Sequence, residues 1–147
     1  MATASSSRSR IRAHDAARKN SAAEPHDFDA LLGPFYDAES VSEFLRIPVT
    51  SVRSRATLRE LLMLRTEDNF VVFPAFQFIS DGSVLPGLKT VLEAFEDAPM
   101  NEWTRAIWLV AENPDLDFNT PIAWLSAGGS VEAVVLSFRR DSSRWRR

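Results

Sequence analysis

The stretch DAESVSEFLRIPVTSVRSRA, residues 37–56, decides the fold of the first half of the chain, and LLMLRTEDNFVVFPAF, residues 61–76, continues it. Asp37 can cap a helix, and Ser40 with Glu43 repeats the polar signature of a helix start three residues apart. Ala38, Val41, Phe44 and Leu45 then fall on one face at helical spacing. In the connecting LRIP, Ile47 supplies a buried plug and Pro48 a fixed φ suited to opening a second helix. On that helix Val49, Val52 and Ala56 face inward, which leaves Thr50, Ser51, Arg53, Ser54 and Arg55 outward. The pattern predicts a helix-turn-helix. Short hydroxyls beside arginines on an exposed second helix are what reading a DNA major groove requires.

Beyond Ala56 the second helix is expected to end near Leu58–Glu60, followed by a strand over Leu62–Thr66, a turn at Glu67–Asn69 and a returning strand FVVF. Phe70, Val72 and Phe76 are expected beneath the helices, and Pro74 ends the pairing or marks an edge. The result is a small β-hairpin wing. Arg59 and Arg65 extend the basic set, and Arg65 could reach a phosphate. The Glu67–Asp68 tip, however, repels phosphates, so the second helix must carry recognition almost alone. One short helix gives little affinity, which argues for a dimer.

Upstream, residues 1–27 are small, polar and basic, with almost nothing to bury. They read as a disordered arm, either a plain leader or one that touches the DNA backbone or minor groove. Phe28, Leu31 and Leu32 form a lead-in ended by Gly33–Pro34, and Phe35–Tyr36 acts as an aromatic staple before the Asp37 cap.

From Ser80 onward the pattern is purely helical. Pro86 opens a helix with Leu88, Val91, Leu92 and Phe95 on one face. A second helix from about Asn101 buries Trp103, Ala106, Ile107 and Val110 and stops before Asn113–Pro114. Thr120 caps a short helix from Pro121 to Ala127, closed by Gly128–Gly129. Ser130 caps the last helix, with Val131, Val134, Val135 and Phe138 inward and arginines at its end. The fold class is therefore mainly α: residues 28–79 a helix-turn-helix with a hairpin, residues 80–147 a four-helix bundle. Trp103 and Trp108 read as core. Trp124 and Trp145, nearer element ends, are candidates for a partner surface.

Composition narrows the function classes. The chain has no cysteine, and its two histidines, His14 and His26, lie in the N-terminal arm, so neither a thiolate nor a histidine metal site is expected in the fold. No nucleophile–histidine pair, phosphate-binding glycine loop or metal constellation points to an enzyme or a cofactor. No apolar run reaches the roughly 18 residues of a membrane span, so a soluble cytoplasmic protein is expected. Charge is segregated: residues 46–66 hold five arginines against Glu60, whereas residues 67–123 hold ten acids against Lys89 and Arg105. Phosphates sense the local basic patch first.

The string WLVAENPDLDFNTPIAWLSAGGSVEAVVLSF, preceded by LPGLKTVLEAF, resembles the C-terminal toxin-binding domain of antitoxins of the Xre/MbcA/ParS type. Trp103, Asn113, Pro114, Leu116, Thr120, Pro121, Leu125, Gly128 and Val134 match its outline of a tryptophan helix, an N-P-x-L loop, a T-P-x-x-W-L helix, a glycine break and an amphipathic last helix. The stretch from Arg65 to Phe78 is similar to proteins that carry this module behind a helix-turn-helix. The resemblance implies an antitoxin that binds a RES-domain toxin, an enzyme that degrades NAD, and that represses its own operon as a homodimer on a palindromic operator. On that reading Arg139, Arg140, Arg144, Arg146 and Arg147, with Trp124 and Trp145, contact the partner. Two other functions stay open: a stand-alone transcriptional regulator, and an interaction module that inhibits some other cognate protein without reading DNA.

Overall fold

The computed structural model describes residues 32–145, the side chain of Trp145 excepted. The basic arm 1–27, Phe28, Leu31, Arg146 and Arg147 lie outside the described residues. The fold is mainly helical with a little antiparallel sheet, and it divides into two compact units, one running to Val84 and the other from Leu85.

In the first unit, helix α1 (Ala38–Leu45) starts where Asp37 accepts a hydrogen bond from the Ser40 amide at 2.8 Å. It ends at Arg46, whose φ of 59° turns the chain out of the helix. Pro48, at φ −62°, opens α2 (Val49–Thr57). Val41 and Val52 meet between the helices and share a core with Leu61 and Phe73, against which Ala38, Leu45, Ile47 and Ala56 pack.

Strands β1 (Phe35–Tyr36), β2 (Leu64–Arg65) and β3 (Val71–Pro74) form an antiparallel sheet in the order β1-β3-β2. The hairpin pairs Leu64 with Val72 and Arg65 with Val71. Phe35–Tyr36 is also a strand, pairing with Pro74 and Phe73, and Tyr36 packs against the core that contains Val41. The pairing makes β3 the central strand, which is why Val72 and Phe73 are both buried. Phe70 is a correction. It lies beyond the last ladder pair, in the hairpin loop closed by Thr66, and stays 52% exposed. Phe76 is half-buried in a 3-10 turn.

The segment Leu61–Met63 belongs to no strand, and a side chain serves its backbone instead. Gln77 is completely buried; its Oε1 accepts from the Leu62 amide at 2.8 Å, and its Nε2 donates to the carbonyls of Leu62 at 2.9 Å and Pro74 at 3.1 Å. The region after Ser80 is not purely helical either. Strands β4 (Phe78–Ile79) and β5 (Ser83–Val84) pair around an Asp81–Gly82 turn. A two-residue strand is too short to leave an alternating pattern. Tyr36, Phe44 and Phe78 cluster with ring centroids 5.4–6.4 Å apart.

The second unit has four helices among the described residues: α3 (Leu88–Phe95), α4 (Glu102–Val110), α5 (Pro121–Ser126) and α6 (Val131–Trp145). Gly87 leads into α3 at φ 89°, and a Cβ there would lie 2.5 Å from Val131 Cγ2, so only glycine fits. Asn101 and Thr120 cap α4 and α5, and Ser130 Oγ accepts from the Ala133 amide at 3.2 Å at the start of α6. The core centres on Phe95, Trp108 and Phe138, whose ring centroids are 4.5–6.1 Å apart. On α4 the fully buried residues are Ala106 and Leu109, whereas Trp103, Ile107 and Val110 are half-buried; the inward stripe is rotated from the expected one.

Candidate nucleic-acid interface and partner surface

The first candidate surface is α2. Val52 is its one fully buried residue, because a nine-residue helix docked on a small core needs little more. Thr50, Arg53 and Ser54 are exposed, while Ser51 and Arg55 are half-buried and present only part of each side chain. The Ser54 hydroxyl donates to the Thr50 carbonyl at 3.1 Å, and that of Thr57 to the Arg53 carbonyl at 3.0 Å. Both hydroxyls thus keep their oxygens available as acceptors. Arg53 and Arg55 have no ion-pair partner among the described residues, and neither does exposed Arg46 at the mouth of the turn.

The two helices differ at their starts. α1 has the Asp37 cap and Glu39 in its first turn. α2 has neither a side-chain cap nor an acid in its first turn. An uncapped helix start without a carboxylate favours an anion. Arg46, on the same turn, was missed as a candidate because its sequence position reads as the end of α1. Its left-handed φ lifts it away from that helix.

Arg59 and Arg65 are both exposed. Arg59 sits at φ 63° just past the end of α2, and Arg65 donates to Asn69 Oδ1 at 3.0 Å across the hairpin turn. Glu67 and Asp68 at that turn are also exposed.

The second candidate surface is scattered. Trp124 is half-buried: its indole lies on Gly129, where a Cβ would meet Nε1 at 2.5 Å, and Nε1 donates to the Ser130 carbonyl at 3.0 Å. The indole therefore seats the glycine break between α5 and α6. Arg139, Arg140 and Arg144 are exposed on α6. Arg140 pairs with Asp115 at 2.9 Å, and Arg144 lies 3.7 Å from Asp141, which accepts from Trp108 Nε1 at 2.8 Å. Trp108, Glu112, Asn113, Asp115, Asp141 and Arg144 line an open cleft of about 230 Å³. The other partner residues, the Trp145 side chain with Arg146 and Arg147, lie outside the described ones.

The loop between α4 and α5 carries the feature that sequence reasoning missed. Phe118 is 67% exposed. The available signal was a lone aromatic between Asp117 and Asn119 in an otherwise polar loop. Among the described residues no group of three His, Cys, Asp or Glu side chains could hold a metal ion, and no helix is long and apolar enough to cross a membrane.

No family model matches the chain, and no curated protein matches it in sequence. Among solved structures it is similar to Rv2175c, determined by NMR: the TM-score is 0.60 at 26% sequence identity, covering 71% of this chain and 78% of that one.

Proposed function

We propose that this chain is a DNA-binding antitoxin. In this reading α1 and α2 form a helix-turn-helix with β2 and β3 as its wing, and α3 to α6 form a bundle that holds a RES-type toxin. The bound pair represses its own operon. The observation that carries the DNA half is α2 itself. It is exposed, starts without a cap or an acid, and bears Arg53 and Arg55 with Arg46 beside it, all three unpaired among the described residues. Thr50 and Ser54 add hydroxyl contacts to bases or phosphates. A nine-residue helix reads few base pairs, so a homodimer on a palindromic operator supplies the affinity. The toxin half rests on the resemblance of the sequence from Leu85 to Phe138.

A mobility-shift assay with the upstream region of its own gene tests the DNA half. The wild-type chain is expected to shift that DNA. The double variant Arg53→Ala, Arg55→Ala is expected to lose the shift or to lower the slope of log affinity against log salt by about two units per protomer, about four for the homodimer. Unchanged binding by the double variant would sink α2 as the reading helix. A second reading, a module that inhibits a partner without touching DNA, is favoured by the exposed acids at the hairpin turn. A tight complex on size exclusion with no DNA shift selects it. A stand-alone regulator is selected if DNA is bound and no neighbouring gene encodes a partner.

A further inference from the structure

Phe118 is the most exposed large apolar side chain among the described residues, and it is held in an unfavourable backbone conformation. Asp117 and Phe118 lie in succession at φ 58° and 64°, a region that bulky residues rarely enter. The loop around them is nevertheless tightly tied. The Asn113 carbonyl accepts from the amides of Leu116 at 3.0 Å and Phe118 at 2.9 Å, and the Asn113 amide donates to the Asn119 carbonyl at 3.1 Å. The Asn113 side chain is buried, donating to Ser137 Oγ at 2.8 Å and accepting from the Asp115 amide at 2.9 Å. Asp115 in turn accepts from Ser137 and Arg140 of α6. A rigid scaffold thus presents an aromatic ring to solvent, where the ring contributes little to the fold.

The loop is acidic on balance: Glu112, Asp115 and Asp117 stand in it against Arg140, which pairs with Asp115. Glu112 and Asp117 are exposed and have no cationic partner among the described residues, whereas the carboxylate of Asp115 is already satisfied within the unit. Large aromatic anchors with ordered surroundings are where binding energy concentrates, and complementary rim charge steers the encounter.

We propose that the loop Glu112–Asn119 is the surface through which this chain docks on a basic protein, with Phe118 as the anchor. The partner's matching site is an apolar pocket rimmed by lysine or arginine. This inference rests on the antitoxin reading, with the toxin as that partner, and it moves the docking site from the arginines of α6 to the acidic loop.

The test uses the full chain co-expressed with the protein encoded next to it, followed by affinity and melting measurements. Phe118→Gly removes the ring and relieves the backbone, since glycine adopts φ 64° freely. Its melting temperature is expected to stay level or rise, while the partner affinity falls about 30-fold or more, the size of a hot-spot truncation. The double variant Glu112→Gln, Asp117→Asn is expected to weaken the complex at low salt and to flatten its salt dependence. Wild-type affinity in Phe118→Gly, or a lowered melting temperature, overturns the anchor role. An unchanged salt dependence in the double variant overturns the basic partner. If the wild-type chain forms no complex, the antitoxin reading falls and this inference with it. If the complex forms and Phe118→Gly keeps it, only this inference falls.

Discussion

The two units differ in where they leave cations unmatched. In the second, Lys89, Arg105, Arg140 and Arg144 each lie within ion-pair distance of a carboxylate: Glu93, Glu96, Asp115 and Asp141 in turn. Arg139 has no such partner. In the first, Arg46, Arg53 and Arg55 have no carboxylate beside them among the described residues. Exposed pairs add little stability, about 0–1 kcal/mol each, so this pairing matters less for folding than for what the surface shows. Where cations are matched, the local field is cancelled; where they are not, it reaches outward and attracts phosphate. The first unit leaves positive charge uncovered on α2, and the second leaves negative charge uncovered beside Phe118.

The cores differ as well, and substitution separates them. The largest expected effect is in the second unit. Phe138→Ala removes one member of the Phe95–Trp108–Phe138 cluster and is expected to cost about 3–5 kcal/mol in urea unfolding. A loss under about 1 kcal/mol would show that this unit is held by something other than its rings. The first unit depends on a polar clasp. Gln77→Leu keeps the volume but strands the Leu62 amide and carbonyl and the Pro74 carbonyl, for an expected loss of about 3 kcal/mol. Amide hydrogen exchange should show the Leu62 amide losing its protection; retained protection would mean the clasp is dispensable.

The smallest effects bear on charge directly. Arg140→Ala breaks the pair with Asp115 and is expected to cost under about 1 kcal/mol. Arg53→Ala with Arg55→Ala is expected to change stability by less than about 0.5 kcal/mol, because neither side chain has a partner to lose. If the α2 double variant proves the more destabilising of the two, its arginines are structural and the contrast between the units fails.

Much of the local structure was legible. Asp37 and Thr120 cap helices as expected, and Asn101, where a helix was expected to begin, proves to cap it; each accepts an amide three residues on. Gly128 ends α5 at φ 84°. The exposed set on α2 was legible in part, with Thr50, Arg53 and Ser54 outward and Ser51 and Arg55 only half so. What escaped depends on neighbours far along the chain. Phe35 becomes a strand only because Pro74 lies across from it. Phe70 is exposed because the ladder begins one residue later. Arg140 pairs with Asp115, 25 residues back, a contact that its sequence neighbours do not announce.

The sequence by itself determined where the helices of both units lie and several of their caps, because those interactions close within one or two turns of chain; the inward face of α4 was not among them. Tertiary structure alone decided which polar groups are consumed internally and which face solvent. Gln77 stands among PAFQF with nothing to mark it, yet it is fully buried and completes the backbone hydrogen bonding of a segment 15 residues earlier. Phe118 is marked in the sequence only as a lone aromatic in a polar loop; that its ring is left outside follows from Asn113 and Ser137 holding that loop. Burial and charge pairing are set by what lies across the fold, and a residue's sequence neighbours do not specify that.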